Sequence, residues 1–67
     1  MSVTIKNILS RLSGIRVHGS KDKETLNYIL DLVELYAGAD SQTRVSIIKL
    51  ADNYLISLES TMFNLYN

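Results

Sequence analysis

Residues 35–43, LYAGADSQT, lie between the two longest segments of the chain that carry apolar residues at helical spacing. Gly38 breaks this spacing, and glycine is common just past the end of a helix. Asp40 and Ser41 follow, and both residue types cap the backbone N–H groups that the first turn of a helix leaves unpaired. The stretch therefore predicts that one helix ends near Ala37, that the chain reverses, and that a longer helix begins at Ser41.

The segment before this turn predicts a helix over residues 21–37, with Ser20 as its N-cap. Its apolar residues form two stripes. The first stripe contains Leu26, Ile29, Leu30, Val33 and Ala37, and the second contains Tyr28, Leu32 and Leu35. A helix that is apolar over more than half of its circumference needs cover from two sides, which predicts that this helix is the central one.

The segment after the turn predicts a helix over residues 41–66. Its apolar seam advances in steps of three and four residues through Ile48, Ala51, Leu55, Leu58, Met62 and Leu65, and it is widened by Ile47, Leu50 and Tyr54. At 1.5 Å per residue this helix spans about 39 Å, against about 25 Å for the helix before it. A separate flank carries Val45, Ile56 and Phe63, for which a compact three-helix monomer offers no obvious cover.

The N-terminal segment predicts a short helix over residues 4–13, because its apolar residues fall on one helical face. Thr4 is predicted to be its N-cap, and Gly14 is predicted to end it in the left-handed conformation. The sequence thus predicts an all-α fold class. A single small helical domain over residues 1–67 is expected, in which the short first helix precedes a long helical hairpin.

The composition is that of a small globular protein of 67 residues, 46% of them apolar and 21% charged, with zero formal net charge. The absence of cysteine excludes a disulfide framework, a thiolate zinc site and a cysteine nucleophile. His18 is interpreted as a solvated loop residue, and Asp31 and Glu34 as a solvated polar strip. We therefore expect no cofactor, no metal and no enzymatic activity. No signal peptide or apolar run of roughly 18 residues is recognisable, so a cytoplasmic protein without a membrane span is expected.

A chain of this length builds only a small core, because it buries about 60% of its unfolded surface. Without cysteine or a metal to reinforce the fold, self-association is the remaining route to stability. Residues 24–60 resemble the helical hairpins that pair into four-helix dimers, among them small plasmid copy-number regulators that bind RNA. The resemblance is at the level of the fold and implies a dimeric helical bundle.

The C-terminal stretch STMFNLYN, residues 60–67, is unusually apolar for a chain end and predicts a partner surface. The candidate protein interface is one edge of the third helix and consists of Val45, Ile56, Met62, Phe63 and Tyr66. A symmetric pairing of hairpins is expected to bury the flank of the third helix together with the second stripe of residues 21–37. The predicted function is macromolecular binding by a homodimeric regulator, adaptor or inhibitor, of the kind that phages and plasmids encode.

The alternative is a regulator that binds nucleic acid through a basic segment. Residues 1–23 hold five basic residues and one acidic residue, a net charge of +4, whereas the remainder holds two basic and six acidic residues, a net charge of −4. The candidate phosphate contacts are Arg11, Arg16, His18, Lys21 and Lys23. This alternative predicts salt-sensitive binding. The zero total charge and the lack of an aromatic residue before Tyr28 weigh against it.

Overall fold

A computed structural model describes the backbone of residues 3–65 and the side chains of residues 3–62. It contains α1 (Ile5–Leu12), α2 (Ser20–Tyr36) and α3 (Ser41–Leu65), and residues 3–65 form no strand. The all-α class and the three helices are therefore confirmed. The described helix boundaries lie within one residue of their predicted positions, and the predicted end at residue 66 lies outside the described residues.

The start of α1 is confirmed and its end differs from the prediction. Thr4 is extended, and its hydroxyl accepts a hydrogen bond of 3.2 Å from the Asn7 N–H, as an N-cap does. The prediction that Gly14 is left-handed is wrong, because no glycine of the described chain has a positive φ. The helix tightens instead, since the N–H groups of Gly14 and Ile15 donate to the carbonyls three residues earlier, Arg11 and Leu12.

The prediction that Ser20 caps α2 is also wrong. Ser20 is the first helical residue, and Gly19 occupies the extended N-cap position with φ −94° and ψ 155°. No side chain caps this end of the helix. The sequence pattern favoured Ser20 as the N-cap and so placed the start of α2 one residue too late. Glycine is also an acceptable N-cap residue, and Gly19 takes that position.

The α2–α3 connection is closed by one cap for each helix. Asp40 Oδ1 accepts a hydrogen bond of 2.8 Å from the Thr43 N–H, so Asp40 is the predicted cap that the structure uses for α3. Arg44 caps the other helix end, because its guanidinium donates to the carbonyls of Tyr36 at 3.0 Å and Ala37 at 3.1 Å. The same guanidinium lies 4.7 Å from the centroid of the Tyr36 ring, an additional cation–π contact.

The Asp40 cap should make part of the thermal stability depend on pH. The hydrogen bond from the Thr43 N–H lowers the pKa of the Asp40 carboxyl below its ordinary value of 3.8. The stabilisation is therefore complete above pH 3.8 and is lost as the pH falls through the lower pKa of the folded state. Asp40→Asn retains a capping oxygen that does not titrate, so its Tm should fall less than that of the parent between about pH 5 and about pH 2.

Thermal melts of both chains followed by circular dichroism test this expectation. Asp40→Ala serves as the control, because it removes the capping oxygen and should lower Tm by a few degrees even at neutral pH. Equal acid-induced losses in the parent and in Asp40→Asn would show that the cap does not carry the pH dependence.

The central helix is α3, which contacts both α1 and α2. The prediction of α2 as the central helix is wrong, because α1 packs mainly against α3 and leaves Leu30 and Leu35 of α2 exposed. Pairs of contacts give the directions of the helices. Along α3, α2 runs in the opposite direction, since Tyr36 lies beside Arg44 and Tyr28 beside Tyr54. The direction of α1 is the same as that of α3, because Val3 before α1 lies near Val45 and Arg16 after α1 contacts Met62.

The core follows the predicted seam of α3. Ala51 and Leu55 are fully buried, Leu58 is nearly so, and Ile48 and Met62 are partly buried. Ile8 of α1 and Ile29 of α2 are fully buried in the same cluster. The seam of α3 therefore lines the core, and α1 and α2 each contribute a fully buried isoleucine to it.

Candidate protein-binding surfaces

A charged bridge joins α1 to the side of α3. Arg11 donates from Nε and Nη2 to the two carboxylate oxygens of Glu59, at 3.0 and 2.7 Å, and from Nη1 to Asp52 Oδ1 at 2.8 Å. Asn7 Oδ1 accepts a further bond from Nη1 at 3.0 Å. The Glu59 hydrogen bond, assisted by Asp52, raises the pKa of Arg11 above its ordinary value. Arg11 therefore stays charged and is occupied by two acids of α3.

This bridge separates Arg11 from the other candidates for nucleic-acid binding. Arg16, His18, Lys21 and Lys23 are exposed along the α1–α2 connection and the first turn of α2. The Arg16 backbone N–H donates to Met62 Sδ at 3.5 Å, which holds this connection against α3. Four of the basic candidates are therefore exposed, and the fifth, Arg11, is paired with two acidic residues of α3.

Two of the predicted interface residues share an exposed side of α3. Val45 and Ile56 are 53% and 49% exposed, and they lie on one side because eleven residues make about three helical turns. Val45 also lines a hollow of about 310 Å³ together with Val3, Ile48, Lys49 and Asp52. We call Val45 and Ile56 the α3 edge. It lies on the side of α3 that faces α1, because Asp52 and Glu59 bind Arg11 from the same side.

The remaining predicted interface residues do not extend the α3 edge within the described chain. Met62 is partly buried on the core seam beneath the α1–α2 connection. The side chain of Phe63 and the whole of Tyr66 lie outside the described residues.

A second exposed apolar surface lies where α2 meets α3. The rings of Tyr28 and Tyr54 pack edge to face, with centroids 5.0 Å apart and planes at 78°. Leu35 of α2 and Leu50 of α3 are exposed on the same side, at 63% and 41%. We call these four residues the tyrosine face. The sequence placed Tyr28 and Leu35 in a second stripe, but it assigned Leu50 and Tyr54 to a widened core.

The α3 edge and the tyrosine face lie on opposite sides of α3. Tyr54 and Ile56 are two residues apart, which is a rotation of about 200° around a helix axis. Tyr54 contacts α2, whereas Ile56 lies on the side of α3 that carries the bridge to α1. The expected symmetric contact between two copies stays a prediction, and the two surfaces that it was expected to bury together lie on opposite sides of α3.

No protein-family model, curated protein or solved structure matches this chain. None of the helices in residues 3–65 combines the length and the apolar character that crossing a membrane requires. The described part of the chain holds no group of three His, Cys, Asp or Glu side chains placed to bind one metal ion.

Proposed function

We propose that the chain is a non-enzymatic cytoplasmic regulator, adaptor or inhibitor that acts by binding another protein at the α3 edge. The observation that carries this proposal is the exposure of Val45 and Ile56 on one side of α3, where Val45 also lines an apolar hollow. Isolated exposed aliphatic residues are common, but two on one helical side, one of them lining a concave site, offer a partner both contact area and a recess.

The hollow has the size and lining of a side-chain anchor site. Its volume of about 310 Å³ lies at the lower end of ligand pockets, which run from about 300 to about 1,000 Å³. Its walls are aliphatic, from Val3, Val45 and Ile48, and Lys49 and Asp52 stand at the polar rim. Asp52 is paired with Arg11, so Lys49 supplies the positive rim charge. A partner helix that inserts one large apolar side chain and carries an acidic neighbour fits this arrangement.

We further propose that α2 and α3 act as the helical hairpin of a homodimer, so that two copies form a dimeric helical bundle. The small core supports this proposal, because the large side chains that are fully buried among residues 3–62 are Ile8, Ile29 and Leu55. A domain of this size gains stability from association, and twofold dimers are the commonest assemblies.

Site-specific photocrosslinking tests the partner surface directly. A photoreactive amino acid at position 56 should give a discrete adduct with another protein in cells, whereas the same amino acid at position 27 should not. Asn27 is a suitable control because it is exposed on the polar strip of α2. With the purified partner, Ile56→Asp should weaken binding by roughly 30-fold or more, as truncation of an anchor residue does. Asn27→Asp should leave the affinity unchanged.

The outcomes separate this proposal from its alternatives. An adduct of twice the chain mass at position 56 would assign the α3 edge to self-association. Unchanged affinity in Ile56→Asp would remove the edge from the binding site. Salt-sensitive binding to nucleic acid, weakened by Arg16→Ala and Lys21→Ala, would replace protein binding by the nucleic-acid alternative.

A further inference from the structure

We infer that a second copy of the chain docks on the tyrosine face, an assignment that rests on the dimer proposed above. This face consists of Tyr28 and Leu35 of α2 and Leu50 and Tyr54 of α3. It is separate from the α3 edge, so a dimer formed through it leaves the edge open for another protein.

The exposed apolar area is substantial for so small a chain. The four side chains are between 41% and 63% exposed and together present on the order of 350 Å². One partner contributes roughly 800 Å² to a standard interface, so these residues supply close to half of what a stable dimer needs. The polar residues around them and the hollow of about 430 Å³ that Leu35 and Ile47 help to line add contact area.

The α3 side of the tyrosine face carries no charged residue along the described helix. Its exposed residues, spaced three or four apart, are Thr43, Ser46, Leu50, Tyr54 and Ser57. The charged residues of α3 lie elsewhere. Arg44 caps the end of α2, Asp52 and Glu59 bind Arg11, and Lys49 borders the hollow beside the α3 edge.

This charge distribution favours a second copy as the occupant. A twofold axis brings a surface against itself, so any exposed charge near the axis meets a like charge. The uncharged side of α3 avoids this repulsion. The acidic residues Asp31 and Glu34 of α2 border this face, since Glu34 lines the hollow beside Leu35, and pairing α3 with α3 leaves them at the rim of the dimer rather than at its axis. Depletion of charge at the centre is the compositional signature of interface cores.

The side chains at the centre also suit close helix packing. Ser46 and Ser57 are short, so a second α3 can approach while Leu50 and Tyr54 fill the space between the helices. The tyrosine rings supply apolar area, and their hydroxyl groups can reach water or the serine side chains of the other copy.

Solution mass by light scattering across a dilution series tests the assignment, with two variants of matched chemistry. Leu50→Asp and Ile56→Asp each place one carboxylate at an exposed aliphatic position of the same helix. We expect the parent and Ile56→Asp to be dimers, and Leu50→Asp to raise the dimer Kd by about 30-fold or more. The parent Kd should change little between about 0.1 M and about 1 M salt, because the interface lacks ion pairs.

Ser57→Arg is a second interface variant, which tests the assignment even if Leu50→Asp does not fold. Ser57 is exposed, so the substitution leaves the core intact and places like charges together across the dimer axis. A folded but monomeric Ser57→Arg chain supports the assignment.

Two other results would overturn the assignment, and they are distinguishable. A parent that remains monomeric at every concentration refutes the proposed dimer and this interface together. A parent dimer that Ile56→Asp dissociates, and that Leu50→Asp and Ser57→Arg leave intact, refutes only the interface and transfers self-association to the α3 edge.

Discussion

Replacing Leu55 by alanine should remove most of the stability of this protein. Leu55 is fully buried at the middle of α3, in the cluster that includes Ile8 of α1 and Ile29 of α2. Truncation of a buried leucine costs about 2–5 kcal/mol, through lost burial and the cavity that remains. The net free energy of unfolding that a core of this size provides is rarely more than about 3–5 kcal/mol. Thermal melts by far-ultraviolet circular dichroism should show a Tm lower by at least about 10 °C, or no cooperative transition.

The neighbouring residue provides the control for this prediction. Ile56 follows Leu55 directly but is 49% exposed. Ile56→Ala makes a similar truncation in the same helix and should change the free energy of unfolding by no more than about 0.5 kcal/mol. Equal losses in the two variants would mean that Leu55 does not hold the core together.

Burial of Leu55 could be predicted because it follows from a local pattern. Apolar residues at alternating steps of three and four define one face of a helix, whatever the rest of the fold does. The caps Thr4 and Asp40 are equally local, since each side-chain oxygen bonds an N–H three residues later. Interactions of this range depend on neighbouring residues alone, and these features are confirmed, whereas the equally local predictions for Gly14 and Ser20 are wrong because another residue or turn type satisfies the same backbone groups.

The arrangement of the helices could not be predicted in this way, because it depends on contacts between residues far apart in the sequence. Arg11 is bound to acids 41 and 48 residues away, and no local pattern indicates that pairing. The sequence therefore placed Arg11 in a basic cluster and α2 at the centre of the fold. The Tyr28–Tyr54 contact also joins residues far apart in the sequence. It brings two residues that the sequence assigned to different stripes onto one face.

Replacing Arg11, which joins α1 to two acids of α3, should destabilise the packing of α1. Arg11→Met preserves much of the apolar stem but leaves Asp52 and Glu59 without their cation. Their side chains are 24% and 39% exposed, so solvent screens part of the loss. The expected cost lies between that of exposed and buried pairs, about 1–2 kcal/mol, because two partly buried like charges remain together. Denaturant unfolding should show the loss, and hydrogen exchange should locate it in α1.

A compensating variant separates the loss of the ion pair from the loss of packing. In the triple variant Arg11→Met, Asp52→Asn, Glu59→Gln, no uncompensated charge remains, so a substantial part of the lost stability should return. Arg16→Met is the matched control, since Arg16 is exposed and its substitution should cost no more than about 0.5 kcal/mol. If the triple variant is no more stable than Arg11→Met alone, α1 is held by the stem of Arg11 and by Ile8. If stability returns, the cost of Arg11→Met came from the two acids left without a cation, so Arg11 acts on α1 by neutralising them, while the packing of Ile8 keeps α1 in place.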